Sequence, residues 1–369
     1  MKLAIERTVL TAALTRAARI VERRNTIPVL SNLLLTAGQD GLRIKATDLD
    51  IEIVETLAAQ VDTPGEVTAP AHMLADIVRK MPDGCQISIC SIGIGLLQVQ
   101  AGRSRFKLQT LPASDFPDIA TGDLPSHLTI PGKTLKAIVD RTQFAISTEE
   151  TRYYLNGIYL HAAQPGARLR AVSTDGHRLA QAQMAEETAP PAMPGVIVPR
   201  KTVAEIGRLL AEAPADVQVD LSPQKIRFTI GAVTLTSKLI DGTFPDYGRV
   251  IPSANDKVLV VDKDALGKAL DRVSTVSSER GRAVKLGLSD SRLTLTVTNP
   301  DSGDAVEEID AEYEADAIEI GFNARYLLDI LGQVAGDTVR VKLADPGSPA
   351  LIEDPTDASA LFVLMPMRV

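Results

Sequence analysis

Tryptophan is missing from the 369 residues, aromatic side chains of any kind make up only 4%, and cysteine occurs twice. Cys85 and Cys90 have no second cysteine cluster or histidine-rich segment to work with, so a zinc site lacks ligands and a disulfide framework lacks members. The histidines are His72, His127, His161 and His177. No nucleophile, metal set or matched acid–base group is recognisable around them. No apolar run approaches bilayer length. The opening MKLAIERTVL places Lys2, Glu6 and Arg7 where an export signal needs an apolar stretch. The expectation is a cytoplasmic protein without metal or cofactor. Positive charge is also short, with 39 Lys and Arg against 47 Asp and Glu and a net charge of −8. That balance excludes general electrostatic gripping of nucleic acid, so a polyanionic partner must meet a local basic surface.

What remains is an ordinary globular composition, 45% hydrophobic and 23% charged, long enough for two or three domains. The chain repeats itself. AHMLADIVRKM (71–81), KTVAEIGRLL (201–210) and ARYLLDILGQV (324–334) share a helical pattern, each with an acidic residue before isoleucine: Asp76-Ile77, Glu205-Ile206 and Asp329-Ile330. These landmarks recur at about one third of the chain length. TD recurs at 47–48 and 174–175, and FPD at 116–118 and 244–246. A second helix is predicted to open each copy, near 7–23, 132–145 and 262–276. In the first of these Leu10, Ala13, Leu14, Ala17, Ile20 and Val21 share one face. Between the helices, apolar and polar residues alternate at the strand period; in RSRFKLQT, Arg103, Arg105 and Lys107 oppose Phe106 and Leu108. The expected fold is α+β, three modules of two helices packed on antiparallel sheets, bounded at about 1–121, 128–250 and 251–369.

Arg16, Arg19 and Arg23 are spaced to form one stripe on the first helix, which Arg24 extends. The other helices carry Arg79 and Lys80, Lys133 and Lys136, Lys201 and Arg208, and Lys263, Lys268 and Arg272. Taken singly these are solvated faces. Presented together, three such modules would concentrate positive charge that meets phosphates without reading bases.

The segment TDGHRL (174–179) sets Asp175, His177 and Arg178 around a glycine. It reads either as an acid–base centre or as the wall of a binding site. ERRNTIPVLSNLLL (22–35), GRSRFKLQTLPASDFPD (102–118), RYYLNGIYL (152–160), STDGHRLA (173–180), VIVPRK (196–201), SKLIDGTFPDY (237–247), IGFNARYLLDIL (320–331) and VLMPMRV (363–369) resemble the bacterial DNA polymerase III beta subunit, the replicative sliding clamp, in order and along the whole chain.

The resemblance implies a head-to-tail homodimeric ring of six similar domains that encircles double-stranded DNA without sequence preference. It implies partners that dock through short linear motifs: the polymerase, the clamp loader, other polymerases and repair proteins. Their pocket would take Thr174, Gly176, His177, Arg178 and Leu179 as one wall and Leu155, Pro245, Arg249 and Val250 as another. Val363, Leu364, Met365, Pro366, Met367 and Arg368 would come from the chain end, with Asn323 and Tyr326 nearby. Adaptable methionines, together with backbone groups and arginines that orient an extended peptide, suit this task. DNA contacts would fall to Arg24, Arg152, Tyr153, Tyr154 and Lys201; Glu149 and His72 depart from the family pattern and weaken DNA contact there. The dimer would set Phe106 and Leu108 against Thr275 and Val276.

Two other functions are weighed against the clamp. A hydrolase or transferase using Asp175 and His177 predicts that His177→Ala abolishes turnover. A scaffold that keeps the peptide pocket but does not encircle DNA predicts indifference to substitution of Arg24 and Lys201.

Overall fold

The structure is a computed structural model that describes residues 1–119, 122–162, 168–184, 193–212, 215–277 and 282–369. Each sequence repeat carries two helices among these residues: α1 (Arg7–Ile20) and α2 (Ala71–Arg79), α3 (Gly132–Gln143) and α4 (Arg200–Glu212), α5 (Lys263–Ser274) and α6 (Ala324–Leu331). None is long and apolar enough to cross a membrane.

The strands pair across the repeats, and the chain forms two compact units. Met1–Gly132 and Leu209–Leu239 make the first, Lys133–Arg208 and Ile240–Val369 the second. In the first unit an eight-stranded antiparallel sheet joins the N-terminal repeat to half of the central one, because Val233–Lys238 pairs with Ile51–Leu57. A five-stranded sheet in the same unit ends on the edge strand Ser104–Gln109. In the second unit a nine-stranded sheet joins the other half of the central repeat to the C-terminal one. Its seam pairs Arg178 with Leu364, Leu179 with Val363 and Ala180 with Phe362. A four-stranded sheet there ends on the edge strand Gly303–Asp310.

Alternation places the core as the residues suggest. In Arg292–Asn299, Leu293, Leu295 and Val297 are buried under α5 and α6, packed with Leu266, Leu270, Leu327 and Ile330. In α1 the apolar face Leu10, Ala13, Leu14, Ala17 and Ile20 is buried as its period requires, and Glu6 caps the helix by accepting from the Val9 N–H at 3.0 Å. The helix stops at Ile20, with Val21 extended. His72 Nε2 donates to the Val21 carbonyl at 3.0 Å and satisfies a terminal acceptor. Arg23 and Arg24 therefore lie past the helix instead of extending its stripe.

Candidate functional site

The TDGHRL segment turns the strand Leu169–Thr174 into Arg178–Gln183. Asp175 Oδ1 accepts from the His177 and Arg178 N–H groups at 2.9 and 3.0 Å. Thr174 Oγ1 accepts from Gly176 N–H at 3.0 Å and donates to the Arg178 carbonyl at 2.7 Å. Gly176 has φ +89°, a conformation glycine adopts without strain, and an added Cβ would meet Arg152 Nη1 at 2.8 Å and push that side chain aside. Asp175 Oδ2 takes Arg178 Nε at 3.1 Å. Both oxygens of the carboxylate are thus spent on the turn and the arginine, and Asp175 is a turn former rather than the base of an acid–base pair.

Arg178, expected in the pocket wall, is held on several sides by the protein itself. Its side chain is only 10% exposed, and Nη1 donates to Asp329 Oδ2 at 2.6 Å. Nη2 donates to the Phe144 carbonyl at 2.7 Å. The guanidinium lies 4.2 Å from the Tyr326 ring centre and 5.0 Å from that of Phe144. All three nitrogens are therefore used inside the protein, clasping α6 to the turn. Asp329 is the acidic member of the repeated acid–isoleucine pair. Its counterparts Asp76 and Glu205 pair with Arg79 and Arg208 of their own helices.

Beside this clasp lies an apolar cluster of Leu155, Val172, Leu179, Ile197, Phe244, Leu351 and Val363, with Tyr154, Tyr159, Ile240 and Tyr247 packed against it. It unites three of the expected pocket residues, Leu155, Leu179 and Val363. Val172, Ile197, Phe244 and Leu351 join them; of these only Phe244, through the FPD motif, carries a signal in the sequence, since buried strand positions read alike everywhere. Met365 and Val250 are exposed, and Arg249 pairs with Asp246 at 2.9 Å. The short helix Tyr247–Val250 that bears Arg249 is held by a column of rings: Phe244 on Tyr159 at 5.0 Å, Tyr159 on His161 at 4.6 Å, and His161 Nε2 against the Tyr247 hydroxyl at 3.0 Å. Burial keeps His161 below the ordinary histidine pKa, so the ring is neutral near pH 7. Asn323 accepts from the N–H groups of Arg325 and Tyr326 as the cap of α6, while His177 and Tyr326 lie ring to ring at 6.4 Å. From the chain end, Met365 N–H donates to the His177 carbonyl at 2.9 Å and Met367 N–H to that of Gly321 at 2.8 Å.

The N-terminal TD turn has the same hydrogen bonds but not the same surroundings. Asp48 Oδ1 accepts from Asp50 and Ile51 N–H, and Leu49 takes φ +80° where the second turn has Gly176. Aligned on the two TD pairs, Glu52 stands in the place of Leu179. It is buried, paired with Lys45 at 3.0 Å and accepting from Ile119 N–H at 3.3 Å. Charge replaces the apolar floor there.

The basic stripe is largely consumed. Arg16 donates to both oxygens of Glu55 at 2.9 and 2.6 Å and to Glu212 at 2.9 Å. Glu55 raises its pKa further above the ordinary guanidinium value. Arg19 also reaches Glu212, at 3.4 Å. Arg24 is exposed, Tyr153 is 54% exposed, and Lys201 lies half-buried in the first turn of α4. Tyr154, expected on DNA, packs instead against the apolar cluster. Glu149 Oε2 sits 3.3 Å from Arg152 Nε and offsets its charge. Glu149→Gln is therefore expected to steepen the salt dependence of DNA binding by about one unit of log K against log salt. An unchanged slope would remove Arg152 from the phosphate contacts.

At the two sheet edges, Phe106 is 39% exposed, but Leu108 is 5% exposed and faces the core of its own domain opposite Leu97. Leu108 is thus a packing residue, and the unpaired edge of Ser104–Gln109 offers Arg105, Phe106 and Lys107. Thr275 Oγ1 donates to the Asp271 carbonyl at 3.2 Å, and Val276 packs on the C-terminal core. The edge strand Gly303–Asp310 has Asp304, Val306 and Glu308 among its exposed positions.

Sequence profiles described as the N-terminal, central and C-terminal domains of the DNA polymerase III beta subunit match residues 1–120, 129–246 and 248–368. The beta sliding clamp of Caulobacter vibrioides is 54% identical over 372 residues and that of Escherichia coli 40% over 370, with complete coverage of both chains in each case. Crystal structures of sliding clamps bound to griselimycin, from Bartonella birtlesii and Pseudomonas aeruginosa, superpose with TM-scores of 0.96 and 0.95 at 49% and 41% identity, again over the full length of both chains. With three clamp domains in order and end-to-end similarity to curated clamps, the chain belongs to the DNA polymerase III beta subunit family, the beta sliding clamps.

Proposed function

We propose that the apolar cluster beside the Arg178 clasp is where this sliding clamp receives the linear motifs of its partners. As a family member the protein is a non-catalytic processivity factor that tethers the replicative polymerase to DNA. The observation that carries the pocket assignment is that Leu155, Leu179 and Val363, far apart in the chain, meet in one apolar cluster. Val250 and Met365, close in sequence to its members Ile251 and Val363, are exposed. A floor that is already desolvated, beside flexible apolar side chains, suits a peptide that inserts a few apolar anchors. That clamps of two other bacteria are crystallised with griselimycin agrees with a ligand-accepting fold. A fluorescent peptide carrying a clamp-binding motif is expected to bind the full chain about tenfold or more tightly than a chain ending at Leu364. Equal affinity would remove residues 365–369 from the site.

Arg24, Arg152, Tyr153 and Lys201 are assigned to DNA, with repeat boundaries near 121 and 250. Few contacts to phosphates suit a protein that must move along the duplex, so retention rests on enclosure. On nicked circular DNA loaded by the family's clamp loader and ATP, the protein is expected to stay on circles and run off once a cut linearises them. Equal loss from both would favour the non-encircling scaffold. The ring would close where Ser104–Gln109 of one subunit pairs with Gly303–Asp310 of another, a match of basic to acidic edges that also satisfies exposed backbone groups. Its place is the cytoplasm, where its partners act.

A further inference from the structure

We infer that Gly321 is a positioning residue for the peptide pocket: it seats the last five residues of the chain so that Met365 is presented at the rim. The inference rests on the pocket assignment made above.

The strand Ile318–Asn323 alternates cleanly. Ile320 and Phe322 are buried in the C-terminal core, which leaves Glu319, Gly321 and Asn323 on the opposite face. The final strand ends at the fully buried Leu364. Beyond it the chain crosses from the TDGHRL turn to this second face, held by the Met365 N–H on the His177 carbonyl and the Met367 N–H on the Gly321 carbonyl. Gly321 and Met367 form an antiparallel bridge. Two donors two residues apart, on one edge of an extended segment, fix both its height and its direction.

The seat has no room for a side chain. A Cβ at residue 321 would lie 2.5 Å from Val369 Cγ1 and 2.6 Å from the Met367 carbonyl oxygen. The second of these is backbone and cannot rotate away, so any larger residue must lift the tail. Neighbouring Gly287 offers the contrast. Its Cβ would meet nothing closer than the Thr294 carbonyl oxygen at 3.8 Å. The other flank of the tail lines a cleft of about 810 Å³ with Lys285, Thr296 and Glu319, so a lifted tail has somewhere to go.

Gly321→Ala in the full chain is expected to weaken binding of the fluorescent clamp-binding peptide about tenfold. In the chain ending at Leu364 the same substitution is expected to be silent within about twofold, because the atoms it strikes are gone. Gly287→Ala is the packing control, expected to match the wild type in both lengths. Met367→Pro tests the seat from the other side. It removes the N–H given to Gly321 without adding bulk there, and it too is expected to weaken binding. Thermal melts of all variants report whether the fold survives. Wild-type affinity in full-length Gly321→Ala, or equal weakening in full and shortened chains, would overturn the inference. If the full and shortened wild-type chains bind the peptide equally, the tail's role in the pocket fails first, and that outcome is separable from failure of the seat.

Discussion

Arg178→Ala is expected to lower the melting temperature on the order of 10 °C, from about 3–5 kcal/mol lost when one partner of a buried ion pair is removed. Three acceptors depend on this guanidinium: Asp175 Oδ2, Asp329 Oδ2 and the Phe144 carbonyl. Taking it away removes the cation that pairs both part-buried carboxylates, leaving Asp329 with Arg325 and Asp175 with backbone N–H groups. The Tyr326 and Phe144 rings that sandwich it lose packing as well. Arg178→Lys is expected to fail almost as badly, because an ammonium cannot span three acceptors in the plane of a fork. Asp329→Asn should be milder, since an amide oxygen still accepts. Peptide affinity should fall in parallel with stability, through displacement of α6 and the His177 turn. An Arg178→Ala protein that melts like the wild type yet loses the peptide would make Arg178 a direct ligand contact and would remove the clasp.

Phe106→Arg is expected to shift the ring toward monomers, by about 2 kcal/mol or more at each of its two interfaces, which together is roughly a thousandfold in the dimer dissociation constant. Phe106 is the apolar side chain left exposed on the edge strand Ser104–Gln109, between Arg105 and Lys107. A third cation there would repel its neighbours where a flat ring should be covered. Since the ring holds two such contacts, retention on circular DNA should fall more steeply than either contact alone suggests. Sedimentation at several protein concentrations reads the first effect and the nicked-circle assay the second. Leu108→Ala, in contrast, is expected to cost about 2–5 kcal/mol of protomer stability, because this residue packs inside its own domain. A Phe106→Arg protein that remains a dimer at the wild type's concentration range would move the interface elsewhere.

The repeats, the helices and the turns were legible in the chain because each is specified by neighbours. The buried face of α1 follows from spacing alone, and the TD turns follow from short-range bonds by threonine and aspartate to backbone N–H groups two or three residues on. Leu155, Leu179 and Val363, which the resemblance groups together, meet in one apolar cluster. What could not be read locally is how a residue is spent. Arg16 looks like a phosphate contact until Glu212, 196 positions away, arrives beside it; Arg178 looks like a ligand contact until Asp329, 151 positions on, takes its Nη1. Tyr154 and Leu108 read as surface anchors and pack inward.

By itself, then, the sequence determined the modular α+β plan and the kind of surface each element offers, since periodicity and turn chemistry act over a few residues. Only the tertiary structure decided which charges are neutralised, which edges stay open, and why residue 321 must lack a side chain. The pairing of Arg178 with Asp329 and the seat of Met367 on Gly321 both join atoms that chain order keeps far apart and packing brings within 3 Å.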